Sequence, residues 1–300
     1  MNKMIEVINV EKKFGEITVL KNINFNINKG EIFGYLGPNG AGKTTTIRIL
    51  TGIIEPTSGE IFIDRIDLKH NKKLIRSKSG LLTENPGFYE RFNAIENIKF
   101  FSKLYGLNDN DIKSKIEYYF KLFNLWDHRS IPVGAFSKGM KQKLSLIRAI
   151  IHDPEYIYLD EPTASLDPET SNIVKTFIKD LKKQGKTIFL STHNLFEAEE
   201  VCDRVAILNR EIIEIGRPDE LKSKIFGNRI VVEFENEPEK VKNILSTMGI
   251  NFKIEGNKII MDYEKSISSL IKNLINSGID VSYVYRENHS LEEIYLEMVK

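Results

Sequence analysis

The 300-residue sequence contains one cysteine, Cys202, so no disulfide can form within the chain. A covalent scaffold is excluded, and a reducing, intracellular site is the expectation. A run of about 18 apolar residues, the length that a membrane-spanning helix needs, is also missing. The opening "MNKMIEVINVEKKF" alternates along its length and lacks the unbroken apolar core of a secretory signal. Charge of one sign is lacking too. Lys and Arg number 43 against 42 Asp and Glu, a formal net charge of +1, which gives no case for a nucleic-acid partner or an anionic membrane surface. Low-complexity tracts and internal repeats are absent. What remains is an ordinary globular composition, 41% hydrophobic and 28% charged, on a chain long enough for two domains.

The first part alternates strand and helix signals. "MIEVINV" and "VLKNINFNI" show period-2 alternation, and "EIFGYLG" is an apolar strand running into a glycine turn. "KTTTIRILTGI" follows as a helix. "EYIYLDEP" and "KTIFLSTH" read as buried strands. "PETSNIVKTFIKDLKKQG" reads as a helix with Pro168 in its first turn and Gly185 at its stop, and "RVAILNREIIEIG" as a hairpin across Asn209 and Arg210. Such alternation implies an α/β fold with a mostly parallel sheet. Residues 85–150 break the pattern with helical stretches and little strand between them, so a helical subdomain is expected inside a first domain of residues 1–220. Beyond "RPDELKSKIFGN" the order is β-α-β-β-α-β, that of a small ferredoxin-like α+β domain, residues 221–300. A last helix opens with a capping box, Ser290 to Glu293.

Residues 37–45, "GPNGAGKTT", match G-x-x-x-x-G-K-[ST] in full. A strand precedes the match and a helix follows, as a phosphate-binding loop requires. Gly37, Gly40 and Gly42 let the backbone close around phosphate, with Pro38, Asn39, Ala41 and Thr45 completing the cradle. Lys43 is placed for the β- and γ-phosphates and Thr44 for Mg²⁺. In "YIYLDEP", Asp160 reaches the carboxyl edge of the sheet, where it suits Mg²⁺, and Glu161 suits polarisation of an attacking water. His193 in "FLSTH" stands just past another strand end. In "AFSKGMKQKLSLIRAI", Ser137 and Gly139 stand at the head of a helix, whose exposed amides suit an anion.

The succession of phosphate loop, helical insert, "FSKGMKQKLSLIRAI", "YIYLDEP", "ASLDP" and "STH" resembles the nucleotide-binding subunit of ABC transporters over residues of about 4–220. That resemblance implies a P-loop NTPase core with an N-terminal antiparallel β subdomain and a helical insert. It implies ATP and Mg²⁺ as ligands and ATP hydrolysis as the reaction. "FSKGM" is similar to the signature sequence Leu-Ser-Gly-Gly-Gln, with Ser137 and Gly139 matching and Lys138 and Met140 departing. The anion at that helix is then the γ-phosphate bound by a second subunit, in a head-to-tail dimer of this chain with itself or a homologue. Asp167 matches the D-loop, His193 the switch, and Phe14 the aromatic that stacks on adenine. Where the family places the glutamine of its Q-loop, this chain has Glu84, a further candidate beside Mg²⁺.

The resemblance also implies an integral membrane permease as partner and a cytoplasmic place on the inner face of the membrane. "FSKGMKQKL", Glu84 and the tail "SLEEIYLEMV" together resemble the subfamily that exports drugs, antibiotics or sodium. The rival class is a soluble ABC ATPase acting on ribosomes or nucleic acid. A single phosphate loop, a single signature, no sustained heptads and a neutral charge balance weigh against it.

Overall fold

Apolar residues alternating along the first 28 positions fold as two long paired strands, and the apolar runs that follow become buried parallel strands. The computed structural model describes residues 3–83, 87–227, 229–235, 238–247, 251–262, 267–287 and 289–299. Glu84 lies outside them. In chain order the elements of the first unit are β1 (Lys3–Phe14), β2 (Ile17–Asn28), β3 (Ile32–Leu36), α1 (Lys43–Leu50), β4 (Ser58–Ile63), β5 (Ile66–Asp67), α2 (Lys72–Ser77) and β6 (Ser79–Leu82). Next come α3 (Ala94–Leu104), α4 (Asp109–Leu122), α5 (Lys138–Ile150), β7 (Tyr156–Asp160), α6 (Pro168–Lys183), β8 (Thr187–Thr192), α7 (Leu195–Val201), β9 (Arg204–Asn209) and β10 (Glu211–Gly216). This unit spans Met1–Pro218.

Two sheets form it. One is antiparallel, in the order β2-β1-β4-β5; the other runs β10-β9-β3-β8-β7-β6, parallel except for β10. Every residue of β3, β7 and β8 is buried, which explains why these segments read as continuous apolar runs. Between the sheets sits an aromatic core. Phe25 of β2 stacks on Phe33 of β3 at 5.3 Å between ring centroids, and Tyr35 meets Phe189 of β8 at 5.1 Å. Each such side chain contributes roughly 1.5–3 kcal/mol by burial. The turn between β9 and β10 holds Arg210 at φ +62°, and the Arg210 carbonyl accepts the Lys21 amide of β2 at 2.8 Å, tying the two sheets together.

The helical insert lies between β6 and β7. α3 begins with a full capping box from Asn93 and Glu96, and α4 is capped by Asn108. The far end of α5 meets the edge strand β6 so closely that a Cβ on Gly80 would stand 2.0 Å from the Ala149 carbonyl oxygen. Only glycine fits that contact. Nearby, His152 stacks on Tyr105 at 3.6 Å and bonds the Ser79 carbonyl through Nε2 at 3.1 Å. Its buried Nδ1 has no partner, and burial holds the imidazole down at about 4.

The second unit spans Asp219–Met298. It contains most of α8 (Pro218–Phe226), then β11 (Arg229–Glu235), α9 (Pro238–Thr247), β12 (Phe252–Glu255), β13 (Lys258–Asp262), α10 (Ile267–Asn276), β14 (Asp280–Arg286) and α11 (Leu291–Val299). Its sheet is antiparallel in the order β12-β13-β11-β14, the ferredoxin-like arrangement of a β-α-β-β-α-β chain. Ile230, Val232 and Phe234 of β11 pack with Val241 and Leu245 of α9 and Leu270 and Leu274 of α10. At the head of α11 the Ser290 hydroxyl accepts the Glu293 amide at 3.2 Å, and the Glu293 carboxylate takes His289 Nδ1 at 2.6 Å.

Candidate functional site

Parallel strands deliver their carboxyl ends to one edge, and there β3, β7 and β8 each hand over a functional segment. β3 leads into residues 37–45. Gly42, the residue before α1, sits at φ +107°, and a Cβ there would press on Leu20 Cδ2 at 2.5 Å; the loop can close only with glycine at this point. Lys43 is 6% exposed and folds back over the loop, its ammonium donating to the Gly37 and Pro38 carbonyls at 2.7 and 3.3 Å. The same nitrogen is 3.5 Å from Glu161 Oε1.

Asp160, 3% exposed at the end of β7, has both oxygens engaged. The Thr44 hydroxyl donates to Oδ2 at 2.7 Å, and the Ser191 hydroxyl makes a short bond to Oδ1. Glu161 follows at φ +51°, a left-handed conformation that costs a non-glycine residue on the order of 1–3 kcal/mol. Its backbone is pinned on both sides. The Glu161 amide donates to the Ser191 carbonyl at 2.9 Å, and the Gln142 amide nitrogen donates to the Glu161 and Pro162 carbonyls at 3.0 and 3.2 Å. The carboxylate accepts the His193 amide at 3.0 Å on Oε1 and faces the Thr192 hydroxyl at 3.2 Å on Oε2. His193 Nδ1 lies 2.8 Å from Oε1. The strained turn therefore aims one carboxylate across the end of β8 toward Lys43.

These groups open onto a cleft of about 660 Å³ lined by Pro38, Asn39, Gly40, Gly42, Lys43, Thr44, Thr45, Asp160, Glu161 and His193. Val19, Ala164, Lys138, Lys141 and Gln142 complete its wall. The structure thus brings the phosphate loop, Asp160, Glu161 and His193 together. Ser137, Gly139, Asp167 and Phe14 are not among the lining residues. Ser137 caps α5 by accepting the Met140 amide at 3.2 Å, and Gly139 faces Ser165 and Leu166 of the "ASLDP" loop. Asp167 caps α6, accepting the Thr170 amide and hydroxyl, each at 2.8 Å; these bonds hold its carboxyl below the usual range. Phe14 is 50% exposed at the end of β1, with the Lys12 ammonium 4.8 Å from its ring centroid, so it is a surface ring rather than a core one.

Sequence reasoning passed over two contributors. Gln142 sits one turn past Ser137 on an amphipathic helix, and nothing in the local pattern marks it as the residue that grips the Glu161 backbone. Glu197, buried on α7 behind the site, is the other. Its only signal is a carboxylate at a position that helical periodicity turns toward the core.

Thr44 and Asp160 are hard-oxygen donors that suit Mg²⁺. Among the described residues no group of three or more His, Cys, Asp or Glu can hold a metal. A cation held by these two would need other oxygens to complete its shell, as Mg²⁺ commonly does with water and substrate phosphate.

Comparison with known proteins agrees with this geometry. The family described as "ABC transporter" matches residues 20–164. The chain is similar to the ABC transporter ATP-binding protein NatA of Bacillus subtilis (strain 168), 39% identical over 73% of this chain and 91% of that protein. It is 34% identical to the bacitracin transport ATP-binding protein BcrA of Bacillus licheniformis, over 100% of this chain and 98% of the relative. Among solved structures, the dimeric post-hydrolysis state of the ATP-binding cassette MJ0796 bound to ADP and Pi superposes with a TM-score of 0.66 at 28% identity, covering 71% of this chain and 98% of that one.

Proposed function

Because the chain belongs to the ATP-binding proteins of the ABC transporter family, we propose that it energises a separate integral membrane permease for export of a drug, antibiotic, ion or lipid-like substrate. It is an ATPase, converting ATP and water to ADP and phosphate. The observation that carries the reading is the convergence of Lys43, Thr44, Asp160 and Glu161 at one sheet edge. Lys43 and the loop amides hold the β- and γ-phosphates. Glu161, fixed by its backbone bonds and by His193, orients and polarises the water that attacks the γ-phosphate. Thr44 and Asp160 would hold Mg²⁺, which would supply charge neutralisation on the phosphate oxygens.

The second half of the site comes from a second subunit. Ser137, Gly139 and the first-turn amides of α5 reach the γ-phosphate on the partner's loop, with Asp167 near the shared axis and Phe14 against adenine. Support comes from the dimer of the solved relative and from the start of α5, where the helix dipole and Lys138 favour an anion. Among the described residues no helix is long and apolar enough to cross a membrane. In this reading a separate permease supplies the transport path. Its docking face is the exposed aromatic group of Tyr89, Phe92 and Phe100, where Tyr89 and Phe100 meet edge-on at 5.0 Å beside the helical insert. The chain then sits on the cytoplasmic side of that permease.

The test is co-purification. The tagged chain is recovered from native membranes in mild detergent, and its companions are identified. A stoichiometric integral membrane protein is expected. Ribosomal proteins or nucleic-acid enzymes in its place overturn the transport reading and leave the ATPase intact.

A further inference from the structure

Behind Glu161 lies a second carboxyl group. Glu197 of α7 is 4% exposed, with the Thr163 and Thr192 hydroxyls beside its carboxyl group. Its Oε2 is 3.0 Å from the Thr192 hydroxyl oxygen. The same oxygen of Thr192 is 3.2 Å from Glu161 Oε2 and accepts the Asn194 amide at 3.0 Å. One hydroxyl thus bridges two carboxyl groups.

The proton count decides what this bridge can be. A threonine hydroxyl has one hydrogen to donate. If both glutamates were ionised, that one hydrogen would have to be shared between them or given to one alone. Two full hydrogen bonds require that one glutamate carries a proton and donates it to Thr192. Glu161 faces the Lys43 ammonium at 3.5 Å and accepts the His193 amide at 3.0 Å. Glu197 has no ion pair within the site, and an unpaired buried carboxylate is costly.

We propose that Glu197 is a positioning residue for ATP hydrolysis: as a neutral acid it donates to Thr192 and so fixes the Thr192 hydroxyl as a donor to Glu161. This rests on the reading of Glu161 as the residue that orients the attacking water. The surroundings agree. Burial pushes the Glu197 carboxyl up and the charge of Glu161 pushes it further, while the Thr163 and Thr192 hydroxyls and Lys175 of α6 draw it down. Of the other titratable groups on or beside α7, Glu200 is paired with Lys175 and Lys179, Asp203 with Lys182, and the Cys202 thiol is pushed up by burial. Ionising Glu197 turns the Thr192 hydrogen away from Glu161 and leaves the catalytic carboxylate with one donor fewer.

Steady-state ATPase of the purified full chain tests this, comparing wild type, E197Q, E197L and E161Q across pH. Glutamine keeps a donor toward Thr192; leucine keeps bulk and loses the bond. E197L is expected to lose about tenfold in kcat with KM for ATP within about twofold, and E197Q to stay within about twofold of wild type. Wild-type kcat falls with rising pH as Glu197 ionises, and E197Q lacks that fall. If E197L misfolds, T192V breaks the same bridge without changing side-chain bulk and serves in its place. Wild-type turnover in E197L, or E197Q as slow as E197L, overturns the proposal. E161Q separates the two levels: full turnover there removes the role of Glu161 itself, whereas an inactive E161Q beside a fully active E197L removes only that of Glu197.

Discussion

The proposed function gives phosphate to two regions of the first unit, and they are finished to different degrees. At the sheet edge, Lys43, Thr44, Asp160, Glu161 and His193 already bond one another within a single chain. At the head of α5 and in the "ASLDP" loop, Ser137 and Asp167 serve only their own helices as caps. The first region is a site that the fold completes by itself. The second is sound helix-start chemistry that, in the proposed dimer, a neighbour's nucleotide would complete. A dimer assembled on ATP needs this asymmetry: one half recognises the nucleotide alone, and the other adds affinity only when two chains meet.

The largest effect tests the finished half. Glu161→Gln should lower kcat at least about 100-fold while ATP still binds, so that size-exclusion chromatography with ATP finds a trapped dimer. A monomer that hydrolyses normally would show that the reaction centre lies elsewhere. Next in size is the test of the unfinished half. Alone, Lys43→Ala should be inactive and Ser137→Ala slower by about tenfold. Mixed in equal amounts, they should recover part of the wild-type rate, because one composite site in the mixed dimer carries neither change. No recovery on mixing would mean that Ser137 serves its own chain.

Acid should separate the regions again. His152 stands at the base of α5 and is held neutral, at about 4 against an ordinary 6.5. Between those values the unfolded chain binds a proton that the native chain refuses, so stability is full above pH 6.5 and declines as pH falls toward 4. Allowing for partial exposure, the loss is about 2 kcal/mol, read from urea melts at pH 7 and pH 4.5. His152→Gln should flatten that dependence. The smallest effect concerns Phe14. Phe14→Ala should raise KM for ATP by about threefold to tenfold with kcat and melting temperature unchanged, because a half-exposed ring has little core to lose.

Much of the finished half was legible in the sequence, for physical reasons. A glycine-spaced loop between an apolar strand and a helix has few other uses, and buried parallel strands announce themselves as unbroken apolar runs. The β-α-β-β-α-β order of the last 80 or so residues followed from alternation alone. What escaped depended on distance. β6 is four residues long and includes Gly80, too short for any period to show. The left-handed turn at Glu161 is set by bonds to Ser191 and Gln142, residues 30 and 19 positions away. Gln142 and Glu197 are single polar residues on amphipathic helices, and only the folded chain reveals what each one reaches. The half-exposure of Phe14 is likewise a property of the folded chain and not of the local pattern.

The contact at Gly80 gives α5 a mechanical character. With the Ala149 carbonyl pressed against the backbone of β6, the helix is a rod clamped at one end. Its 13 residues run about 20 Å to the head at Ser137. Gln142, near that head, ties the same rod to the Glu161 turn, so one stiff element joins the edge strand to the turn that aims the carboxylate. The stiffness of that joint resides in a missing side chain.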